Sequence, residues 1–279
     1  MGICRFCGKD AGFLRRAHKE CKQAYDEGSA RILDIATKAA VSRSNLADIQ
    51  KTIENVASTS HIDGQSLKDL LVKAWETAVM RALDDKILSE EEENSLATFK
   101  KWFSLPTDIL DKNGAHTKVV KAAIIRDVLN GKIPQRVKID GMLPFNLQKG
   151  EVLVWLFENV PYYEPRTRTT YSGGYSGVSF RIAKGVYYRV GGFRGNPVTT
   201  TETVHIDTGF LGITNKHIYF TGRVKSFRIR YDKIVSFTPH SDGIGIQRDA
   251  LSAKPQIFVT GDGWFTYNLV TNLARLMAT

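Results

Sequence analysis

Beyond residue 21 the sequence has no cysteine: Cys4, Cys7 and Cys21 all fall in the first 21 of 279 residues. A disulfide framework spread through the fold is therefore excluded, and a reducing, cytoplasmic setting is expected. There is no uninterrupted run of about 18 apolar residues, so no membrane-spanning helix is expected. The chain opens without a basic-then-apolar signal region. It also lacks G-x-S-x-G, a phosphate-binding Walker loop and H-E-x-x-H. The glycine-rich stretches GGYSG and RVGGFRGNP do not join a strand to a helix as a phosphate cradle would, and read as hairpin loops. His205, His217 and His240 fall in or beside strand patterns, where a surface or hydrogen-bonded role is expected. The sequence therefore reads as a protein without enzymatic activity.

What the cysteines do is suggested by their spacing. Cys4 and Cys7 form C-x2-C, and His18 and Cys21 form H-x2-C. Three thiols and one imidazole complete the four ligands of a tetrahedral structural Zn2+ site, with no cysteine left over. A redox C-x-x-C would want a strand–helix setting that this stretch lacks. Gly8 supplies a flexible turn after the second cysteine. Phe6 and Phe13 are candidates for a small apolar cluster beside the metal.

Charge is unevenly placed. The net charge of +10 is divided as +2 over residues 1–30, zero over 31–135 and +8 over 136–279. Such a field attracts an acidic protein, an anionic membrane surface or nucleic acid without choosing among them.

Hydrophobic periodicity divides the remainder. Residues 28–135 read as a bundle of four or five helices. Leu67, Leu70, Leu71, Ala74, Trp75, Ala78, Val79 and Leu83 follow helical spacing, with Ser66 and Asp69 as a candidate capping box. Ser89 and Glu92 form a second box, Leu46, Ile49, Ile53 and Val56 mark an earlier helix, and VVKAAIIRDVLNGK a later one. Pro106 is expected to end the helix that starts at Ser89. Residues 140–279 change to short runs with a two-residue period. Phe227, Ile229 and Tyr231 alternate with Arg228 and Arg230. About seven antiparallel strands are expected, with hairpin turns at Asn215-Lys216 and Asp262-Gly263. Leu269, Val270, Leu273, Leu276 and Met277 form the stripe of a closing helix. The fold class is α+β, in three parts: a zinc knuckle (1–27), a helical bundle (28–135) and a small barrel with a capping helix (140–279).

Two stretches resemble known families. ALDDKILSEEEENSLATFKKWFSL is similar to the repeat of the tellurite-resistance TerB-like helical domains, over 60 to 90 residues. Asp84-Asp85-Lys86 stands where that family often has Asp-Gly, which puts any inherited metal site in doubt. ITNKHIYFTG, FRIRYDKIVSF and SDGIGI resemble bacterial pleckstrin-homology-like and GRAM-like domains over about 130 residues. The matching positions are Thr214, Lys216, Ile218 and Phe220, then Arg228, Ile229, Tyr231 and Ile234. Knuckle, bundle and barrel together look like a bacterial or phage-borne family. The leading reading is a zinc-stabilised cytoplasmic adaptor; the pleckstrin-homology-like resemblance implies a protein partner or an anionic membrane surface, and the TerB-like one an envelope, stress or antiphage setting.

Two basic regions are candidates for partner or anion binding. Arg166 and Arg168 lie among the tyrosines of YYEPRTRTTYSGGYSG, read as a loop at the barrel mouth. Arg223, Lys225, Arg228 and Arg230 form the second, with Arg228 and Arg230 on one strand face. The alternative is a nucleic-acid-binding protein that adds the knuckle's Arg15, Arg16 and Lys19 to the barrel arginines.

Overall fold

The computed structural model describes residues 2–84, 87–139, 141–183, 186–250 and 252–278, with side chains for all of these except 168–183, 186–199 and 278. It is an α+β structure in two compact units, Met1–Arg136 and Val137–Thr279. None of the described helices is long and apolar enough to cross a membrane.

The first unit starts with a small antiparallel ribbon, β1 (Gly2–Ile3) and β2 (Asp10–Gly12). Six helices follow: α1 (Lys19–Val41), α2 (Leu46–Thr59), α3 (Gly64–Ala82), α4 (Glu90–Trp102), α5 (Thr107–Leu110) and α6 (Ala115–Leu129). α1 runs without a break from the cysteine cluster into the bundle. Its buried Ile32, Ala36, Ala39 and Ala40 share one core with Leu71, Trp75 and Val79 of α3 and with Leu96 and Phe99 of α4. Small side chains along α1 let its neighbours approach closely. At Gly28 a Cβ would stand only 2.2 Å from Ser60 Oγ, so only glycine fits there without a shift. Trp75 buries its ring and donates its indole N–H to the Leu96 carbonyl at 3.0 Å, which satisfies its one polar atom.

The helix ends follow side-chain chemistry. Ser89 and Glu92 form the expected capping box at α4, with four glutamates in the first turn. The expected box at Ser66 and Asp69 is not the start of α3. Asp63 is the N-cap, accepting from the Ser66 amide at 2.8 Å, so the helix begins three residues before its apolar stripe suggests. α4 ends at Trp102, ahead of Pro106, which instead serves as the N-cap residue of α5. In the acidic turn of the TerB-like stretch, Asp85 and Lys86 lie outside the described residues.

The second unit is a seven-stranded antiparallel sheet and one helix. Its strands are β3 (Leu153–Ala183), β4 (Val186–Thr214), β5 (His217–Gly222), β6 (Ser226–Arg230), β7 (Ile234–Pro239), β8 (Gly243–Arg248) and β9 (Gln256–Val259). They lie in the order β6-β5-β4-β3-β9-β8-β7. The two outer strands, β6 and β7, are joined by only the three-residue 3-10 turn Tyr231–Lys233. Three residues span about 10 Å at most, so the sheet must curl until its edges meet at that corner, giving a half-barrel. Inside it Tyr162 stacks on Phe258 at 5.1 Å and packs against Phe220 and Phe227. α7 (Gly263–Ala278) lies against β7 and β8 and buries Phe265, Leu269, Val270 and Leu273. Met277, expected on that stripe, is 42% exposed.

Three sequence expectations change here. Tyr231, expected to continue the strand alternation of Phe227 and Ile229, lies in the 3-10 turn that separates β6 from β7. Asn215-Lys216 does join β4 to β5, but Asp262-Gly263 is a helix start: Asp262 Oδ1 accepts from the Phe265 amide at 3.1 Å. The expected loop over 162–177 is strand, part of a long β3–β4 ladder whose connecting residues 184 and 185 lie outside the described ones. Its glycines stand opposite partners in register, such as Gly173 opposite Gly195, so the turn residues of one strand face those of the other and the backbone pairing continues.

The caps generate a direct comparison. Asp63→Ala removes the acceptor at the start of α3 and is expected to cost about 1 kcal/mol, whereas Asp69→Ala is expected to stay within about 0.5 kcal/mol. Urea unfolding followed by helical circular dichroism separates the two.

Candidate metal centre and basic sheet face

The metal-ligand arrangement is built by local geometry. Cys4 directly follows β1, and its carbonyl accepts from the Gly8 amide at 2.9 Å across a tight turn in which Gly8 has φ +72°. That turn returns Cys7 toward Cys4. The chain comes back through β2, and the Arg5 amide donates to the Arg16 carbonyl at 2.9 Å. His18 is the N-cap residue of α1, and Cys21 lies in the first turn of the helix. The ligand atoms of Cys4, Cys7, His18 and Cys21 lie within 4.8 Å of one another.

His18 Nδ1 is 3.3 Å from the Cys7 sulfur and 3.6 Å from that of Cys21. Zinc–sulfur and zinc–nitrogen bonds of about 2.3 and 2.1 Å at tetrahedral angles require an S···N separation of about 3.6 Å. The other ring nitrogen, Nε2, bonds the Asp10 backbone carbonyl at 2.9 Å. A carbonyl only accepts, so Nε2 carries the proton and Nδ1 turns its lone pair toward the sulfurs. This second contact has no side-chain signature and is not readable from sequence.

The thiols do not share charge equally. Burial alone raises the Cys4 pKa, but the amides of Cys7, His18 and Phe6 outweigh it and hold the thiol down to about 6. Cys21 is pushed up to about 11 by burial and by the neighbouring Cys7 and Cys4 sulfurs. Three thiolates this close therefore need a cation among them. The cluster fits a metal ion in number, donor type and separation. Of the two expected neighbours, Phe6 packs on Tyr25 with ring centroids 4.9 Å apart, and the Arg5 guanidinium lies over the Phe6 ring, 4.7 Å from its centroid. Phe13 is 84% exposed and takes no part.

The basic residues of the second unit are less gathered. Arg228 and Arg230 are exposed on β6 between the inward Phe227 and the buried Ile229 and Tyr231, on one face as expected. Arg230 pairs with Asp232, 2.7 Å away, and with its amide oxygen turned toward it Gln148 accepts from Arg228 at 3.0 Å. Together with Lys216 they line a cleft of about 520 Å³. Arg223 and Lys225 belong instead to the β5–β6 turn, with Lys225 about 10 Å along the strand from Arg228 and about 17 Å from Arg230. Asp207 organises that turn, accepting from the Val224 and Lys225 amides at 2.7 Å each. Arg166 is exposed on β3, directly opposite Glu202 on β4, and not in a loop. The side chain of Arg168 lies outside the described ones.

His217, which lines the cleft, bonds a buried carboxylate. Glu151 accepts from Tyr219 OH at 2.7 Å, from the Gln148 amide at 2.8 Å and from the Thr214 hydroxyl, and bonds His217 Nδ1 at 2.9 Å. Burial raises its pKa, but the Thr214 hydroxyl, the Gln148 amide, Tyr219 and His217 together bring it below its ordinary value. Its partners on β4 and β5 are 63 to 68 residues away in sequence, so nothing local marked it. No family model matches the chain, and no curated protein matches it.

Glu151 is ionised in the fold at pH values where the unfolded chain would begin to protonate it. Its stabilisation is full above the unfolded pKa of about 4.3 and is lost as pH falls through the lower folded value. Glu151→Gln is expected to cost about 3 kcal/mol at pH 7 and to flatten the loss of stability below about pH 4. Denaturant titrations at pH 7, 5 and 3 would show an unchanged acid profile if Glu151 has no such role.

Proposed function

We propose that the chain is a non-enzymatic adaptor, with a structural zinc ion in its N-terminal cluster and a pleckstrin-homology-like second unit that binds an acidic protein segment. Zinc is favoured by the donor set. Three sulfurs and one imidazole close a tetrahedron and leave no position for water or substrate, which makes the site structural.

The sheet order supports the pleckstrin-homology-like reading. β3–β6 form a four-strand meander, β7–β9 a three-strand one, and the two meet at the β3–β9 pair with a single helix at the C-terminal end. The observation that carries the protein-partner reading is the outer position of β6. It has β5 on one side and, among the described residues, no further strand on the other in the sheet, while its outward side chains are Ser226, Arg228 and Arg230. An extended peptide can add to such an edge through its backbone, and acidic side chains would meet the arginines. An anionic membrane surface is the second partner class that this face could take, and the exposed arginines would serve it through charge alone.

A photo-crosslinking residue at Ser226, exposed on β6, tests this in cells. The expected result is protein adducts that survive nuclease treatment and disappear when Arg228 and Arg230 are both changed to Glu. Adducts to nucleic acid alone, or vesicle flotation on phosphatidylserine with no protein adduct, would overturn the protein-partner reading.

A further inference from the structure

A separate cleft of about 610 Å³ opens in the first unit between α3, α4 and α6. Its size falls in the range of small-molecule sites. Trp75, Leu96, Leu105 and Val119 give it an apolar floor, and Lys100 and Lys101 stand at its wall. His116 stacks over Trp75 with ring centroids 6.4 Å apart and 20° between planes, which makes one side flat and aromatic.

The charges here are unequally engaged. Glu93, which also lines the cleft, accepts from both Arg126 and Arg136, and Arg136 also bonds Asp127 at 2.6 Å. These ions neutralise one another. Lys100 donates to the Thr107 hydroxyl at 2.8 Å, and neither it nor Lys101 has an ion-pair partner among the described residues. Asp111 is the acid whose field reaches Lys100 and His116, but both its oxygens accept from Thr117, at 2.7 and 2.8 Å. Burial disfavours the Lys100 charge, so an arriving anion would relieve it.

We propose that this cleft binds an amphiphilic carboxylate, its alkyl or aromatic body against Trp75 and Val119 and its carboxylate toward Lys100 and Lys101. Apolar area fixes the body, and the two ammonium groups select the anion over an uncharged analogue.

The test is calorimetric titration of the full chain with decanoate, decanol and acetate. Saturable binding of decanoate is expected, with decanol and acetate each at least about ten-fold weaker. Lys100→Gln with Lys101→Gln should weaken decanoate about ten-fold and leave decanol unchanged. Ala97→Trp, at an exposed position on the lining, should block decanoate by filling the cleft. Absence of saturable decanoate binding up to about 1 mM, or equal binding of decanoate and decanol, would overturn the proposal without any variant. Unchanged decanoate binding in Ala97→Trp would place the ligand elsewhere and overturn it as well.

Discussion

Three thiols and an imidazole crowd around one point at the start of α1, and much of the first unit follows from that arrangement. The sulfurs cannot all ionise without a cation among them, as the opposite displacements of Cys4 and Cys21 indicate. Two of the four donors, His18 and Cys21, are the cap residue and a first-turn residue of a 23-residue helix. Starting a helix costs more than extending it. An ion held at this end would therefore fix the turn from which Ile32, Ala36, Ala39 and Ala40 are delivered to the bundle core.

The second unit has a comparable constraint of a different kind. Glu151 is buried with its oxygens saturated by a loop amide, a hydroxyl, a phenol and an imidazole. These contacts tie the segment before β3 to the β4–β5 turn. Thr214 extends the same network, taking the Lys216 and His217 amides at 3.1 and 2.8 Å, while the Tyr231 hydroxyl donates to its carbonyl at 2.8 Å. Tyr231 lies in the corner between β6 and β7, so the network reaches the place where the sheet curls back on itself. The exposed Arg228 and Arg230 line the same cleft as His217 and Tyr231 of this network.

Local features were legible in the sequence and non-local ones were not. The four candidate ligands were readable because each pair is close in sequence and the thiols are otherwise absent. The Ser89–Glu92 box and the Arg228–Arg230 face were readable for the same reason, since three-residue and two-residue spacings fix geometry directly. The Asp63 cap is not legible because the apolar stripe of α3 begins after it. Asp262-Gly263 carries two meanings, a hairpin turn or a helix start, and the Phe265 contact that decides between them is invisible beforehand. The length of β3 and β4 was hidden by glycines that signal turns singly but pair across the ladder. Glu151 and Asp207 gave no sign because their partners come from distant strands or turns.

The measurement that bears most directly on this account is metal analysis of the purified chain combined with X-ray absorption at the zinc edge. The account predicts one zinc per chain with three sulfurs at about 2.3 Å and one nitrogen at about 2.0 Å, and native thiols that react only after the metal is stripped. A chain without stoichiometric metal, whose three thiols react freely while the bundle stays folded, would contradict it.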